Sequence, residues 1–141
     1  MTNSSAKKRL FLGIDLGGTN VKAGVVDDLG HVLASGSVAT EAAQGPDHGV
    51  RQIVLAGKNA VQSGGFSLQE IAAVGLATPG TMDIPGGMLL DPSNLPGWMN
   101  FPIRDRVGKE LGRPTILQND ANAAAYGEYW AGQAKDVRSL L

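Results

Sequence analysis

The 141-residue chain has no cysteine, two histidines, and 12 basic against 13 acidic side chains, for a formal net charge of −1. This balance excludes a general electrostatic pull toward nucleic acid or an anionic membrane surface. The missing cysteines exclude disulfides and thiolate metal sites within these residues. Hydrophobic residues at 43% against charged residues at 18% describe one globular domain, not a disordered chain. The 20 glycines, about twice ordinary usage, point to tight turns or close backbone approaches.

Lys7-Lys8-Arg9 ahead of Leu10-Phe11-Leu12 has the charge order of a signal peptide. Asp15 stops the apolar run short of the roughly 7–15 residues a signal core needs. No run approaches the ~18 apolar residues of a membrane span. The chain therefore reads as soluble and cytoplasmic, with residues 1–8 as a disordered tail.

Leu10 to Leu16 reads as a buried strand and Val21 to Asp27 as a second, alternating and β-branched. Asp28-Leu29-Gly30 turns the chain into a third strand over His31 to Val38, completing an antiparallel meander. Gly45-Pro46-Asp47 opens a helix that Gly64-Gly65 ends. Ile71 to Ala77 is a short apolar strand. Thr78 to Trp98, rich in Pro and Gly, reads as an ordered loop with one small hairpin around Pro85-Gly86-Gly87. Ile103 to Leu111 is a second helix, Arg113 to Gln118 another strand, and Asn119-Asp120 begins an Ala-rich helix running to about Trp130.

The fold class is therefore α/β, a three-strand antiparallel start joined to parallel crossovers. A dinucleotide-binding domain would alternate strand and helix from the outset. Residues 9–136 form one domain. The apolar Val137 to Leu141 looks like the start of a strand leading into a further domain, so the chain is expected to stop mid-fold.

Three segments have the makings of chemistry. In Asp15-Leu16-Gly17-Gly18-Thr19-Asn20, followed by Lys22, the paired glycines let backbone N–H groups face a phosphate. Asp15 can hold Mg²⁺ directly or through water. The plainer alternative is an ordinary Gly-Gly hairpin turn. A strand follows the glycines, which removes the context that dinucleotide and Walker motifs require. In Asn119-Asp120-Ala121-Asn122, a strand end meets a helix start. Asp120 is either a plain N-cap or a general base taking a proton from a sugar hydroxyl as its oxygen attacks phosphorus. In that second case Asn119 hydrogen-bonds neighbouring hydroxyls. The loop from Thr78-Pro79-Gly80 to Trp98 mixes amides, an aromatic and rigid turns, a blend that suits a polyol. For Trp98 itself, packing in the core is the preferred reading. His31 and His48 share no ligand spacing and read as surface or turn residues. Tyr126, Tyr129 and Trp130 read as core or interface.

Together, LFLGIDLGGTNVKAGVVD (10–27), ATPG (77–80), LLDPSNLPGW (89–98) and LQNDANAAAYGEYWAG (117–132) resemble the ROK family of sugar kinases, above all its bacterial glucokinases. The resemblance implies the actin-like ATPase (ribonuclease H-like) fold with a cleft between two domains. It places Asp15, Gly17, Gly18, Thr19 and Asn20 at the ATP phosphates, with Asp15 at the Mg²⁺, and Lys22 just beyond them is a further candidate for cofactor binding. It makes Asp120 the catalytic base and Asn119 a sugar ligand beside it, puts Gly80 on a loop closing over the sugar, and sets Asn94 near that pocket. Family members are roughly twice this length. The resemblance therefore implies an N-terminal portion, with the second phosphate segment, the adenosine site, further sugar ligands and a structural zinc site in the remaining half. It further implies a homodimer, a hexose such as glucose as substrate, and ATP as donor. Fructokinase, N-acetylmannosamine kinase and polyphosphate-using variants exist within the same group. Two readings of other classes stand beside it. One is a non-catalytic sugar-binding fragment. The other is a sugar-responsive transcription regulator, disfavoured because only residues 1–14 precede Asp15 where regulators carry a helix-turn-helix domain.

Overall fold

The computed structural model describes residues 8–92 and 94–119. The expected tail up to residue 7, the helix begun at Asp120 and the strand start at 137–141 lie outside the described residues.

The meander forms as its alternation predicts. Strands β1 (Leu10–Leu16), β2 (Asn20–Asp27) and β3 (Val32–Ala39) pair antiparallel in sequence. Helix α1 (Pro46–Ser63) follows, starting at a proline whose absent N–H costs nothing in the first turn. It ends at Gly64, and Gly65 reverses the chain at a φ of 75° that side chains avoid. Strand β4 (Ile71–Thr78) then returns parallel to β1. The proline-rich stretch contains the expected hairpin as β5 (Thr81–Asp83) and β6 (Met88–Asp91). Helix α2 (Ile103–Leu111) leads into β7 (Thr115–Asn119), which lies parallel to β4. The sheet order is β3-β2-β1-β4-β7. Short 3-10 turns at Ala42–Gln44 and Leu68–Glu70 had no signature in the periodicity.

One sheet face is apolar and covered by both helices. Leu12, Ile14 and Leu16 of β1 and Val21 and Val25 of β2 are buried with Ile53, Ala56 and Val61 of α1 and Ile103 and Val107 of α2. At roughly 1.5–3 kcal/mol for each fully buried large side chain, this layer is the main source of stability. On the opposite face Gly13 stands in register with Gly24 on one side and Gly75 on the other. Strands β1, β4 and β7 run parallel, so their carboxyl ends share one edge of the sheet. In open α/β sheets that edge is where ligands gather, at the point where the strand order reverses, which here lies between β1 and β4.

Candidate functional site

The diglycine turn joins β1 to β2 at that edge. Gly17 N–H donates to the Asn20 carbonyl at 2.9 Å, and a Cβ on Gly17 would lie 2.7 Å from the same oxygen. Neither Gly17 nor Gly18 has positive φ, so space and not backbone conformation demands glycine here. Among the described residues nothing accepts from the N–H groups of Gly18 and Thr19. Such groups can meet an anion. The turn is braced from the end of β3. The fully buried Thr40 donates its hydroxyl to the Gly17 carbonyl at 2.7 Å and its N–H to the Thr19 carbonyl at 2.8 Å. No local signal marks Thr40, because its partner is 23 residues away.

Asp15 is exposed at the end of β1, on the face away from the helices, and Lys22 is its cross-strand neighbour. Thr19 and Asn20 are exposed at the turn itself.

Residues of the proline-rich loop approach from the other side. The Asn94 Nδ2 atom would sit 3.1 Å from a Cβ on Gly18, so the Asn94 carboxamide rests on the diglycine turn. Its loop is pinned by Leu95 and Trp98, both fully buried. The Trp98 indole N–H donates to the Ala42 carbonyl at 3.3 Å, and its ring meets Phe101 edge to face at 6.2 Å. Trp98 is therefore core, and Asn94 is the exposed residue its anchoring displays. Gly80 turns the chain after β4 at a φ of 84°, and a Cβ there would lie 2.7 Å from Pro92 Cα. The Gly80 carbonyl accepts from Asn119 Nδ2 at 3.0 Å, and Asn119 N–H donates to the Gln118 side chain at 2.9 Å.

The structure thus joins Gly18 to Asn94 and Gly80 to Asn119, while Pro92 links the two pairs. Asp120, expected as the base, lies outside the described residues. No group of three metal-ligating side chains occurs among the described residues. The Asp15 carboxylate at an exposed strand end fits Mg²⁺, which keeps several waters and needs one or two carboxylates. No described helix is long and apolar enough to cross a membrane.

The histidines stand apart from this edge. His31 is exposed, and its Nδ1 lies 3.0 Å from the buried Asp27 carboxylate. His48 is partly exposed in the first turn of α1, beside Glu41 at 3.0 Å. Asp27 is a buried acid that the motif reading missed. Its carboxylate accepts from the backbone N–H of His31 and of Leu29, each at 2.9 Å. The His31 N–H is the main cause of a carboxyl pKa lowered to about 2, with further help from the His31 ring and Leu29 N–H against an opposing effect of burial. This is a turn lock at the far end of β2. A shallow groove of about 310 Å³ beside Arg104, Lys109 and Arg113 likewise lies away from the cluster, at the start of β7.

Sheet order, edge and turn together define an α/β fold whose loops gather at the carboxyl edge of its parallel strands. The chain belongs to the ROK family, whose profile matches residues 11–141. It is 34% identical to a glucokinase from Streptomyces coelicolor over 94% of this chain and 39% of that protein. Its structure superimposes on a ROK hexokinase from Thermus thermophilus with a TM-score of 0.80 at 37% identity, covering 89% of this chain and 40% of the other. A ROK glucokinase from Streptomyces griseus, solved in complex with glucose and AMPPNP, matches with a TM-score of 0.79 at 36% identity, over 88% and 37% of the two chains. The expected actin-like ATPase fold is the one these relatives share. The chain spans about 40% of the length of the glucokinase it matches.

Proposed function

We propose that this chain supplies the sugar-binding edge and the first phosphate turn of an ATP-dependent hexose kinase that phosphorylates glucose at its 6-hydroxyl. The observation carrying this reading is the seating of Asn94 on Gly18. A turn suited to phosphate and a loop suited to a polyol are thereby neighbours, as transfer between the two ligands requires.

In this reading Asp120 takes the proton of the 6-hydroxyl while that oxygen forms a bond to the γ-phosphorus of ATP. The bond from that phosphorus to the bridging oxygen breaks, and ADP carries away the electron pair. Asn119, Asn94 and the Gly80 corner orient the hexose. The N–H groups of Gly18 and Thr19 meet phosphate oxygens, with Thr19 and Asn20 adding polar side chains and Lys22 a positive charge. Mg²⁺, held through Asp15, would neutralise phosphate charge when bound. Most of the catalytic gain in such a site is orientation plus electrostatics. The second phosphate segment, the adenosine site, a structural zinc and the homodimer contacts belong to the remainder of the kinase, and the proposed setting is the cytoplasm.

The test is ADP formation by the protein as its gene encodes it, with and without each of glucose, fructose, mannose and N-acetylmannosamine. Glucose-dependent ADP supports the reading. Glucose binding without ADP from any donor, polyphosphate included, would make the protein a sugar binder instead.

A further inference from the structure

Thr78 closes β4, fully buried, and among the described residues its Oγ1 is the buried side-chain atom without a hydrogen-bond partner. Valine would have the same shape and an equal liking for a strand, with no polar atom to strand in the core. The fold alone therefore gains nothing from this hydroxyl.

Its surroundings indicate a use. Thr78 is in register with Asn119 on the adjacent strand. The Asn119 carboxamide donates from Nδ2 to the Gly80 carbonyl at 3.0 Å, and Gly80 is itself fixed against Pro92. A carboxamide is nearly symmetric in shape but has donors at one end and an acceptor at the other. Its ends are told apart only by the groups that face them. A hydroxyl on the neighbouring strand, otherwise unspent, is suited to mark the acceptor end.

We propose that Thr78 is a positioning residue of the hexose site: with hexose bound, its hydroxyl donates to the carboxamide oxygen of Asn119, which keeps the Asn119 N–H groups turned toward the sugar. The inference rests on the hexose kinase reading above. It gives Thr78 no part in stability and no contact with nucleotide.

The experiment compares Thr78→Val and Thr78→Ser with the unaltered protein as its gene encodes it. Melting temperature, kcat, and KM for hexose and for ATP are measured. The expected result for Thr78→Val is an unchanged or higher melting temperature and a hexose KM raised about tenfold, the worth of one hydrogen bond. Its kcat and ATP KM should stay within about twofold, and Thr78→Ser should restore the hexose KM. A hexose KM that stays near the unaltered value in Thr78→Val overturns the inference, as does a rise that serine fails to restore. A Thr78→Val protein that does not fold also counts against it, because stability is expected to hold. If the unaltered protein turns over no hexose, the kinase reading itself fails and this inference falls with it. Turnover with an unmoved KM removes the inference alone.

Discussion

Gly49→Ala sets two well-known effects against each other. Gly49 lies buried in α1, and a Cβ added there would overlap the Trp98 ring. In an unobstructed helix interior the change gains about 1 kcal/mol in helix propensity. Here the ring must move or the helix must shift, and such overpacking costs about 1–3 kcal/mol. Displacing the ring also strains the indole bond to the Ala42 carbonyl, worth about 1 kcal/mol. Loss outweighs gain, for a net destabilisation of about 1–3 kcal/mol. For a chain of this size that corresponds to a fall in melting temperature of roughly 4–10 °C. Thermal unfolding followed by circular dichroism measures it. Adding Trp98→Leu makes room for the new methyl, so the double variant should lose less than the sum of the two singles. A Gly49→Ala protein that melts higher than its parent, or two losses that simply add, would refute the packing argument.

Three further outcomes follow from the same structure. Thr40→Val removes the hydroxyl bonded to the Gly17 carbonyl; it should cost about 1–2 kcal/mol in urea unfolding and raise KM for ATP more than KM for hexose. Asp27 has its carboxyl pKa lowered from 3.8 to about 2 in the folded chain, so it contributes stability that is fully present above the unfolded value and lost as pH falls through the folded one. Acid titration of melting temperature should therefore fall between about pH 4 and pH 2, and Asp27→Asn should flatten that window. Asp120→Asn should keep glucose affinity in calorimetry yet lose at least about 10²-fold in kcat, the lower end for a missing general base; near-normal turnover would remove Asp120 from that role.

What the sequence made legible was local. β1 and β2 are readable because β-branched and apolar residues run between turn residues, and α1 because Gly45-Pro46 and Gly64-Gly65 punctuate it. The Pro85-Gly86-Gly87 turn betrayed its hairpin for the same reason. What stayed hidden is contact between distant segments. Thr40 looks like any threonine until the meander brings it under Gly17. The glycine at position 18 suggests phosphate access to its backbone N–H, and the place its side chain would take is filled by Asn94, which only the folded loop brings near. Asp27 reads as the last residue of the second strand, and its burial depends on the strand register. The site motifs were recognisable as a set, whereas their joining through Pro92 against Gly80 depends on the tertiary fold.

The central claim is that the diglycine turn and the sugar loops share one crevice. Amide NMR of the isotope-labelled protein tests it most directly, with glucose and a non-hydrolysable ATP analogue added separately and together. Glucose alone should shift the amides of Gly80, Asn94 and Asn119, the nucleotide alone those of Gly17 to Asn20, and both ligands the amide of Gly18, on which Asn94 rests. Glucose shifts confined to residues remote from Gly18 and Gly80, or nucleotide shifts that bypass the turn, would contradict the account.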